Sequence, residues 1–329
     1  MQRFLLLLLI VISFSGPISA DENLTIQRLV IFGDSLSDQG KLHRKSHGAV
    51  PVSPPYWNGR FSNGPIWADI LAEKYLVVNE AEGGASAVDY RHLSNSFKYK
   101  IINTLEYEID QFLDKSSFQS DDLVIIWIGG NDYITYHWIR PKDVERVILE
   151  LVIQIRRLER LGVKHVLAIN LPDMGRSPVA NQTDRARVMT DVTEYHNLRM
   201  KAIFEQAFDS SVVKVFDAAS IFGDFMKSPQ AYGFLNTTGA CYTGDYFGIP
   251  WSQSKEPSAQ QSNQRWADFQ RLDVVPGLDN TTHQYRTRLW TPTPKCDGYV
   301  YMDAIHPSRN AHKLTARELD QFIQLHYTK

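Results

Sequence analysis

Short, strongly apolar runs alternate along this chain with longer segments of helical period. The runs are mostly apolar throughout rather than apolar at every second position, which is typical of strands covered on both faces. Alternation of this kind indicates βαβ units around a parallel sheet, so the sequence predicts an α/β fold. The predicted strands cover residues 28–32, 76–79, 123–128, 165–170 and 212–216.

The clearest predicted helix begins after Pro141 and ends at Gly162. Its apolar residues recur at steps of three and four, which places them on one helical face and predicts that this face packs in the core. Ser308 is the expected N-cap of the last helix, because a serine side chain accepts N–H groups that a first turn leaves unpaired. Besides the first, helices are predicted over residues 65–75, 104–114, 185–208 and 308–325.

The amino terminus has the pattern of a signal peptide. Arg3 precedes an unbroken apolar run over residues 4–12, and a segment rich in small residues leads up to Ala20. The run is far shorter than the ~20 residues that a bilayer span requires. The sequence therefore predicts cleavage after Ala20 and secretion to the periplasm or the cell exterior. Residues 21–329 are enough chain for a single domain.

The charge balance limits the class of partner. The chain carries 35 Lys and Arg residues against 37 Asp and Glu residues. This balance argues against a nucleic-acid partner and against strong attraction to an anionic membrane, while transient contact with lipid stays compatible with it. The expected partner is a small or neutral molecule.

The two cysteines of the chain, Cys241 and Cys296, are predicted to form a disulfide because an even number in an exported chain favours pairing. They lie in an insertion predicted over about residues 227–297, where the strand and helix pattern gives way to Gly, Pro, Asn and scattered aromatic residues. Loops of this length are uncommon unless they are functional or disordered. We expect a lid or a segment cut by an activating protease, with the polar tract at 252–264 as the exposed cleavage site.

A serine stands at the carboxyl end of the first predicted strand, in the triplet Gly33-Asp34-Ser35. In an open α/β sheet, ligands bind at that edge. A serine hydroxyl needs a base to become a nucleophile, and Asp303 and His306, three positions apart in one predicted turn, offer an imidazole oriented by a carboxylate. Each pattern also has an ordinary alternative: Ser35 as a helix cap, and His306 as a histidine of a surface turn.

Two loops are candidates for stabilising an oxyanion, which acyl transfer requires. Residues 79–85 follow the second predicted strand, and their glycines allow the backbone to approach a substrate closely. Residues 128–132 follow the third strand and present Asn131 at the same edge. Each loop alone is also consistent with ordinary turn chemistry. Their placement at the ends of successive strands favours a shared site.

The segments around Ser35, Gly84, Asn131 and His306 resemble, in this order, the sequence blocks of the SGNH/GDSL hydrolase superfamily. The resemblance implies a three-layer α/β/α, flavodoxin-like fold with a central parallel sheet. It makes Ser35 the nucleophile, with Asp303 and His306 as the acid and base, and it implies no cofactor and no metal. The oxyanion donors would be the N–H groups of Ser35 and Gly84 and the Asn131 amide. Gly84 is preferred over Gly83 because the family's block glycine also lies five residues after the strand-end asparagine.

Two further segments, residues 58–64 and 170–178, resemble connecting motifs of the larger GDSL lipases and imply no chemistry themselves. The signal peptide, the size and the late insertion resemble the bacterial secreted branch that contains lysophospholipase A and glycerophospholipid:cholesterol acyltransferase. This narrower resemblance implies hydrolysis of lysophospholipids through an acyl-enzyme. Acyl transfer to a sterol and a broad lipase or carboxylesterase activity are the alternatives.

The insertion contains aromatic residues that are candidates for the walls of an acyl channel, or equally for a small satellite core: Tyr246, Phe247 and Trp251. Two other classes of function stay open. One is a metal-dependent phosphoesterase with Asp34, Asp303 and His306 as ligands, although the chain lacks a ligand series at typical spacing. The other is a secreted binding protein that uses the scaffold without catalysis.

Overall fold

A parallel sheet of five strands lies at the centre of the computed structural model, which describes residues 26–92, 103–246 and 292–327. Its strands pair in the order β2-β1-β3-β4-β5, and every pairing in this sheet is parallel. This order is that of a flavodoxin-like, doubly wound sheet, so the α/β prediction is confirmed. The strands are β1 (Arg28–Gly33), β2 (Leu76–Asn79), β3 (Asp122–Trp127), β4 (His165–Ile169) and β5 (Val213–Phe216).

The predicted strands agree with the observed ones to within one residue at each end. All six residues of β1 and of β3 are buried, which explains why these strands are almost entirely apolar. At the amino-terminal end of the sheet, Arg28 of β1 donates to both carboxylate oxygens of Asp122 on β3, at 2.7 and 2.6 Å. The carboxyl ends of β1 and β3 lie together at the opposite end of the sheet.

Helices cover both faces of the sheet. The described helices are α1 (Lys41–Lys45), α2 (Trp67–Leu71), α3 (Leu105–Leu113), α4 (Gly130–Ile134), α5 (Pro141–Arg160), α6 (Pro178–Gln182), α7 (Ala186–Ala207), α8 (Ala218–Lys227) and α9 (Arg309–Tyr327), with 3-10 turns at Met174–Arg176 and Pro229–Tyr232. Helix α2 packs against α9, and α5 packs against α7. Within the described residues, no helix is both long and apolar enough to cross a bilayer.

The long helices match their predictions, and two local details are confirmed. Ser308 caps α9, since its Oγ accepts the N–H of Ala311 at 3.4 Å. The apolar stripe of α5, including Val147 and Ile155, is buried in the core. Helix α2 is shorter than the predicted 65–75, and four helices, α1, α4, α6 and α8, were not predicted.

The late part of the chain is more regular than its composition indicated. Strand β6 (Asn236–Ala240) pairs in parallel with β7 (Tyr299–Tyr301). Strand β6 lies inside the insertion predicted over 227–297, so the prediction of a segment without regular structure is corrected near its start, whereas β7 follows its predicted end. The predicted Cys241–Cys296 disulfide is present. The tract at 252–264, Phe247, Trp251 and the predicted signal peptide lie outside the described residues, so the predictions of a lid, of proteolytic processing and of cleavage after Ala20 stay predictions.

Candidate active site

Ser35 lies just beyond the carboxyl end of β1, where β1 and β3 come very close. A side chain at Gly33 would collide with the Trp127 carbonyl, so only glycine fits there. The Gly33 N–H donates to Glu108 Oε2 at 2.8 Å, and the Asp34 N–H donates to the Trp127 carbonyl at 3.3 Å. These contacts hold the Ser35 loop at the edge of the sheet.

Asp303 and His306 share one tight turn between β7 and α9. Asp303 Oδ1 accepts the backbone N–H of Ile305 at 2.8 Å and that of His306 at 2.7 Å. The Met302 N–H donates to the His306 carbonyl at 2.8 Å, which closes the turn. The carboxylate therefore orders the loop that carries the imidazole, as expected of an aspartate in a turn.

The fold brings the serine, histidine and aspartate together in one hydrogen-bonded chain. Ser35 Oγ lies 2.8 Å from His306 Nε2, and His306 Nδ1 lies 2.8 Å from Asp303 Oδ2. A carboxylate only accepts, so His306 carries its proton on Nδ1 and leaves Nε2 to accept the Ser35 hydroxyl. All three side chains are buried.

The Asp303 carboxylate stays ionised although it is buried. Burial disfavours the charged form, but the neighbouring His306 ring and the hydrogen bonds from His306 and Tyr56 outweigh it, so the pKa of Asp303 lies below its ordinary value. The Tyr56 hydroxyl donates to Asp303 Oδ2 at 2.7 Å. Burial, and then the Asp303 charge, raise the pKa of Tyr56 well above its ordinary value, so the phenol keeps the proton that it donates.

Two aromatic rings pack on the imidazole of His306. The Phe61 ring centroid lies 4.9 Å from that of His306 and is tilted by 35°, and Tyr246 lies at 5.6 Å. Phe61 belongs to the segment 58–64, and Ser62 of the same segment donates to the Pro307 carbonyl at 3.0 Å. This segment, which the sequence analysis treated as without chemistry, therefore supports the histidine loop. Tyr56 and Phe61 are site residues that no sequence motif predicted.

Asn131 lies at the start of α4, directly after β3. Its Nδ2 donates one hydrogen to the Ala85 carbonyl at 2.9 Å, and its Oδ1 accepts the Thr135 hydroxyl at 3.1 Å. An amide nitrogen carries two hydrogens, so one N–H is left for another acceptor. The Asn131 side chain is thereby fixed in orientation and lines the same cleft as Ser35.

The backbone N–H groups distinguish Gly84 from Gly83. The Gly83 N–H already donates to Asp38 Oδ2 at 2.8 Å. In the described ranges of the chain, neither the Ser35 N–H nor the Gly84 N–H has an acceptor. Gly84 has a φ of 84°, a left-handed conformation that favours glycine. Gly84 itself does not line the cleft, so its role as an oxyanion donor stays a prediction.

An apolar cleft opens beside Ser35. It contains about 630 Å³ of space free of protein atoms, a volume that includes open solvent. Its walls come from the ends of β1, β3, β4 and β7, from the segments that follow them, and from helix α8. The apolar lining residues are Leu36, Ile134, Leu171, Pro172, Met174, Phe222, Tyr301, Ile305 and Pro307. The cleft can hold an apolar chain next to the serine hydroxyl.

Comparison with known proteins identifies the group to which this site belongs. Residues 29–319 match the family described as GDSL-like Lipase/Acylhydrolase. The chain belongs to the GDSL-like lipase/acylhydrolase family. The resemblance stated from the four sequence blocks is thereby confirmed, and the protein is an ester-hydrolysing enzyme of the GDSL type.

Several relatives of this GDSL enzyme are known. It is 36% identical over 314 residues to a phosphatidylcholine-sterol acyltransferase of Aeromonas hydrophila, covering 94% of this chain and 93% of that protein. It is 27% identical to the secreted effector protein SseJ of Salmonella typhimurium, covering 92% of this chain and 65% of that protein. Among solved structures, the native aryl esterase of M. smegmatis aligns with a TM-score of 0.39 and 21% identity, covering 59% of this chain and 85% of that one.

The aromatic residues that the sequence analysis considered for an acyl channel do not line the cleft of this GDSL enzyme where they are described. Tyr246 packs instead in a satellite cluster around Tyr56, Tyr242, Cys296 and Met302, with its ring against that of His306. The satellite-core alternative therefore applies to Tyr246. The cleft walls come mostly from segments at the ends of strands, and the periodicity of the sequence does not show which of these residues face a cleft.

Asp34, the remaining carboxylate of the GDSL motif, also lines the cleft. Its Oδ1 accepts the Leu36 N–H at 3.0 Å. Burial raises the pKa of Asp34 to about 7, against the opposing effects of that hydrogen bond and of His306. In the described part of the chain, no group of three or more His, Cys, Asp or Glu side chains is arranged to hold a metal ion.

Proposed function

We propose that the protein is a secreted serine ester hydrolase that releases fatty acid from lysophospholipids, with Ser35 as nucleophile, His306 as base and Asp303 as the acid that orients it. The observation that carries the proposal is the hydrogen-bonded chain from Ser35 Oγ through His306 to Asp303, which lies at an apolar cleft. Nucleophile, base and orienting carboxylate at these distances are the requirements for acyl transfer through an acyl-enzyme.

In the first half of the reaction, Ser35 Oγ attacks the ester carbonyl carbon while His306 Nε2 takes the hydroxyl proton. Asp303 accepts the Nδ1–H hydrogen bond and stabilises the imidazolium that forms. When the tetrahedral intermediate collapses, the carbon–oxygen bond to the alcohol breaks and His306 returns the proton to that oxygen. The products are the free alcohol and an acyl ester of Ser35.

The negative charge on the carbonyl oxygen is stabilised by the N–H groups of Ser35 and Gly84 and by Asn131 Nδ2. The free Ser35 and Gly84 N–H groups and the second hydrogen of the fixed Asn131 amide support this assignment. Donors that are already oriented cost no reorganisation when the charge develops.

Water completes the cycle. His306 Nε2 takes a proton from water as the water oxygen attacks the acyl carbon, and the proton then passes to Ser35 Oγ as the fatty acid leaves. An alcohol in place of water would give a new ester by the same steps. Acyl transfer to a sterol is the second candidate function, favoured by the 36% identity to the Aeromonas hydrophila phosphatidylcholine-sterol acyltransferase.

The reaction class is tested with Ser35→Ala and a matched control. Ser37 lies two residues away in the same loop, is fully buried, and its Oγ has no hydrogen-bond partner within the described structure. Ser35→Ala is expected to reduce hydrolysis of p-nitrophenyl butyrate by at least about 10⁴-fold, whereas Ser37→Ala is expected to retain activity. A serine-directed fluorophosphonate should label wild type and Ser37→Ala only. Substantial turnover by folded Ser35→Ala protein would refute the assignment, and failure of wild type to react would favour a binding protein.

A panel of substrates tests which ester the enzyme prefers and which acceptor receives the acyl group. Lysophosphatidylcholine, a diacyl phosphatidylcholine and short aryl esters are compared with and without cholesterol, and the products are separated as free fatty acid and sterol ester. The proposal expects lysophosphatidylcholine to be preferred and fatty acid to be the main product. Sterol ester as the main product would establish the acyltransferase instead, and a preference for short esters would indicate a general carboxylesterase.

Export is part of the proposal. The Cys241–Cys296 disulfide supports an oxidising compartment, because cytosolic thiols are kept reduced. The amino-terminal sequence of the protein recovered from the periplasm or the medium is expected to begin at Asp21. Recovery of the full-length chain in the cytosol alone would contradict this localisation.

A further inference from the structure

The Asp303 carboxylate is held from two sides. The backbone of its own turn donates two hydrogen bonds to Oδ1, while Oδ2 accepts from His306 Nδ1 and from the Tyr56 hydroxyl. We propose that Tyr56 is a positioning residue of this site, whose phenol fixes the direction and the basicity of Asp303 and acts on Ser35 only through the Asp303–His306 pair. This inference rests on the proposed function of Ser35, Asp303 and His306.

The placement of Tyr56 makes its phenol a rigid donor. Its side chain is fully buried, at 0% exposure. The ring makes edge contacts with Phe61 at 6.1 Å and with Tyr242 at 5.8 Å. Cys296 of the disulfide belongs to the same cluster. Packing on several sides leaves the phenol one orientation, so its hydroxyl is directed at Asp303 before any substrate arrives.

Tyr56 and His306 both donate a hydrogen bond to Asp303 Oδ2. A donor to the carboxylate stabilises its charged form, and it also withdraws part of the negative charge from the bond to His306 Nδ1. Loss of the phenol hydroxyl leaves Oδ2 with one donor fewer in a buried site. The pair Asp303–His306 then binds its proton more tightly, and the carboxylate loses the contact that fixes its plane.

Ionisable groups besides Tyr56 also face this pair, and Tyr242 is the only one of them that the test changes. Tyr242 and Tyr246 lie near Asp303, and Asp245 acts on both of these tyrosines. Asp34 and His312 lie near His306. In the described part of the chain, the ionisable groups that act on Asp303 or His306 besides Tyr56 therefore include Asp34, Tyr242, Asp245, Tyr246 and His312.

The test compares Tyr56→Phe with Tyr242→Phe. Both changes delete one phenol oxygen from the same cluster, but the Tyr242 hydroxyl donates to the Asp245 carbonyl at 3.4 Å rather than to Asp303. The readout is the pH dependence of kcat/KM for p-nitrophenyl butyrate, whose acid limb reports the ionisation of the free enzyme. Tyr56→Phe is expected to lower kcat about 10-fold with little change in KM, and to move the acid limb to higher pH by about half a unit. Tyr242→Phe is expected to leave the limb in place.

A second replacement keeps the hydroxyl and guards against loss of the fold. Replacing Tyr56 with 3-fluorotyrosine makes the phenol a stronger donor, so the acid limb is expected to move to lower pH, opposite to Tyr56→Phe. An acid limb that stays at the wild-type position in both proteins would overturn the inference, as would equal shifts in Tyr56→Phe and Tyr242→Phe. Ser35→Ala, assayed in parallel, separates the outcomes: if it stays active the proposed function fails, whereas an inactive Ser35→Ala with an unchanged Tyr56→Phe profile rejects only the role of Tyr56.

Discussion

Two buried carboxyl groups near the Ser35–His306 pair differ in their environments. The donors around Asp303, which include the His306 ring, overcome burial and hold its pKa below the ordinary value. Asp34 accepts the Leu36 N–H, and burial raises its pKa to about 7. Neighbouring carboxyls whose pKa values are pushed apart are typical of sites that need one charged and one neutral acid.

The raised pKa of Asp34 predicts how stability changes with pH. An unfolded aspartate ionises near its ordinary value of 3.8, whereas Asp34 in the folded protein keeps its proton until about pH 7. Its contribution to stability is therefore present at low pH and is lost as pH rises from about 4 to 7, on the order of 4 kcal/mol. The side chain that Asp34→Asn introduces does not ionise, so this variant should not lose stability over that pH range. Urea unfolding at pH 4.5 and pH 8 should show the variant gaining stability relative to wild type at the higher pH, and an equal difference at both pH values would contradict the assignment.

Asn131 is expected to contribute at the transition state rather than to substrate binding. Asn131→Ala should lower kcat by about 10²- to 10³-fold with little change in KM, because the amide N–H stabilises charge that is absent from the ground state. Steady-state kinetics with a short ester measures this. Thr135→Val is the matched control, since it removes the hydroxyl that Asn131 Oδ1 accepts and leaves the amide N–H groups. A variant Asn131→Ala with wild-type kcat would remove Asn131 from the oxyanion site.

At the scale of elements, the site exists because β1 and β3 are neighbours and parallel. Their carboxyl ends present the Ser35 loop and Asn131 at one edge, at the position in the 2-1-3-4-5 strand order where the chain reverses direction across the sheet. The apolar runs predicted these strands well because both faces are buried. Short helices such as α4 were missed because five residues carry too little periodicity to be recognised.

Two glycines, Gly175 and Gly223, test how closely the helices and turns pack around them. A side chain at Gly175, in the 3-10 turn against α7, would overlap Thr190 and the Ala186 carbonyl. A side chain at Gly223, inside α8, would meet nothing within 4 Å. Gly175→Ala is expected to lower the free energy of unfolding by about 3 kcal/mol, whereas Gly223→Ala should raise it by about 0.5 to 1 kcal/mol. Denaturant unfolding of both variants decides this, and similar effects at the two positions would contradict the packing described.

For the whole molecule, the Cys241–Cys296 disulfide links residues separated by 55 positions. In the loop-entropy model, such a crosslink stabilises the folded state by about 4 kcal/mol, because it restricts the unfolded chain. The double variant Cys241→Ala/Cys296→Ala should lose stability of this order in urea unfolding. Wild type in a thiol reductant should approach the variant, and the variant itself should not respond to reductant. Equal unfolding midpoints with and without the disulfide would contradict this expectation.

The amino-acid pattern alone predicted the five strands of the central sheet, the long helices and the family, and it singled out Ser35, Asp303 and His306 as candidate site residues, because periodicity and short motifs are local properties of the chain. Only the tertiary structure decided which groups meet. Ser35 and His306 are hydrogen-bonded across 271 positions, and Tyr56 reaches Asp303 across 247. The cleft walls and the rings on His306 likewise come from distant segments. Contacts of this kind depend on how elements pack around the sheet, and the spacing of residues along the chain does not encode them.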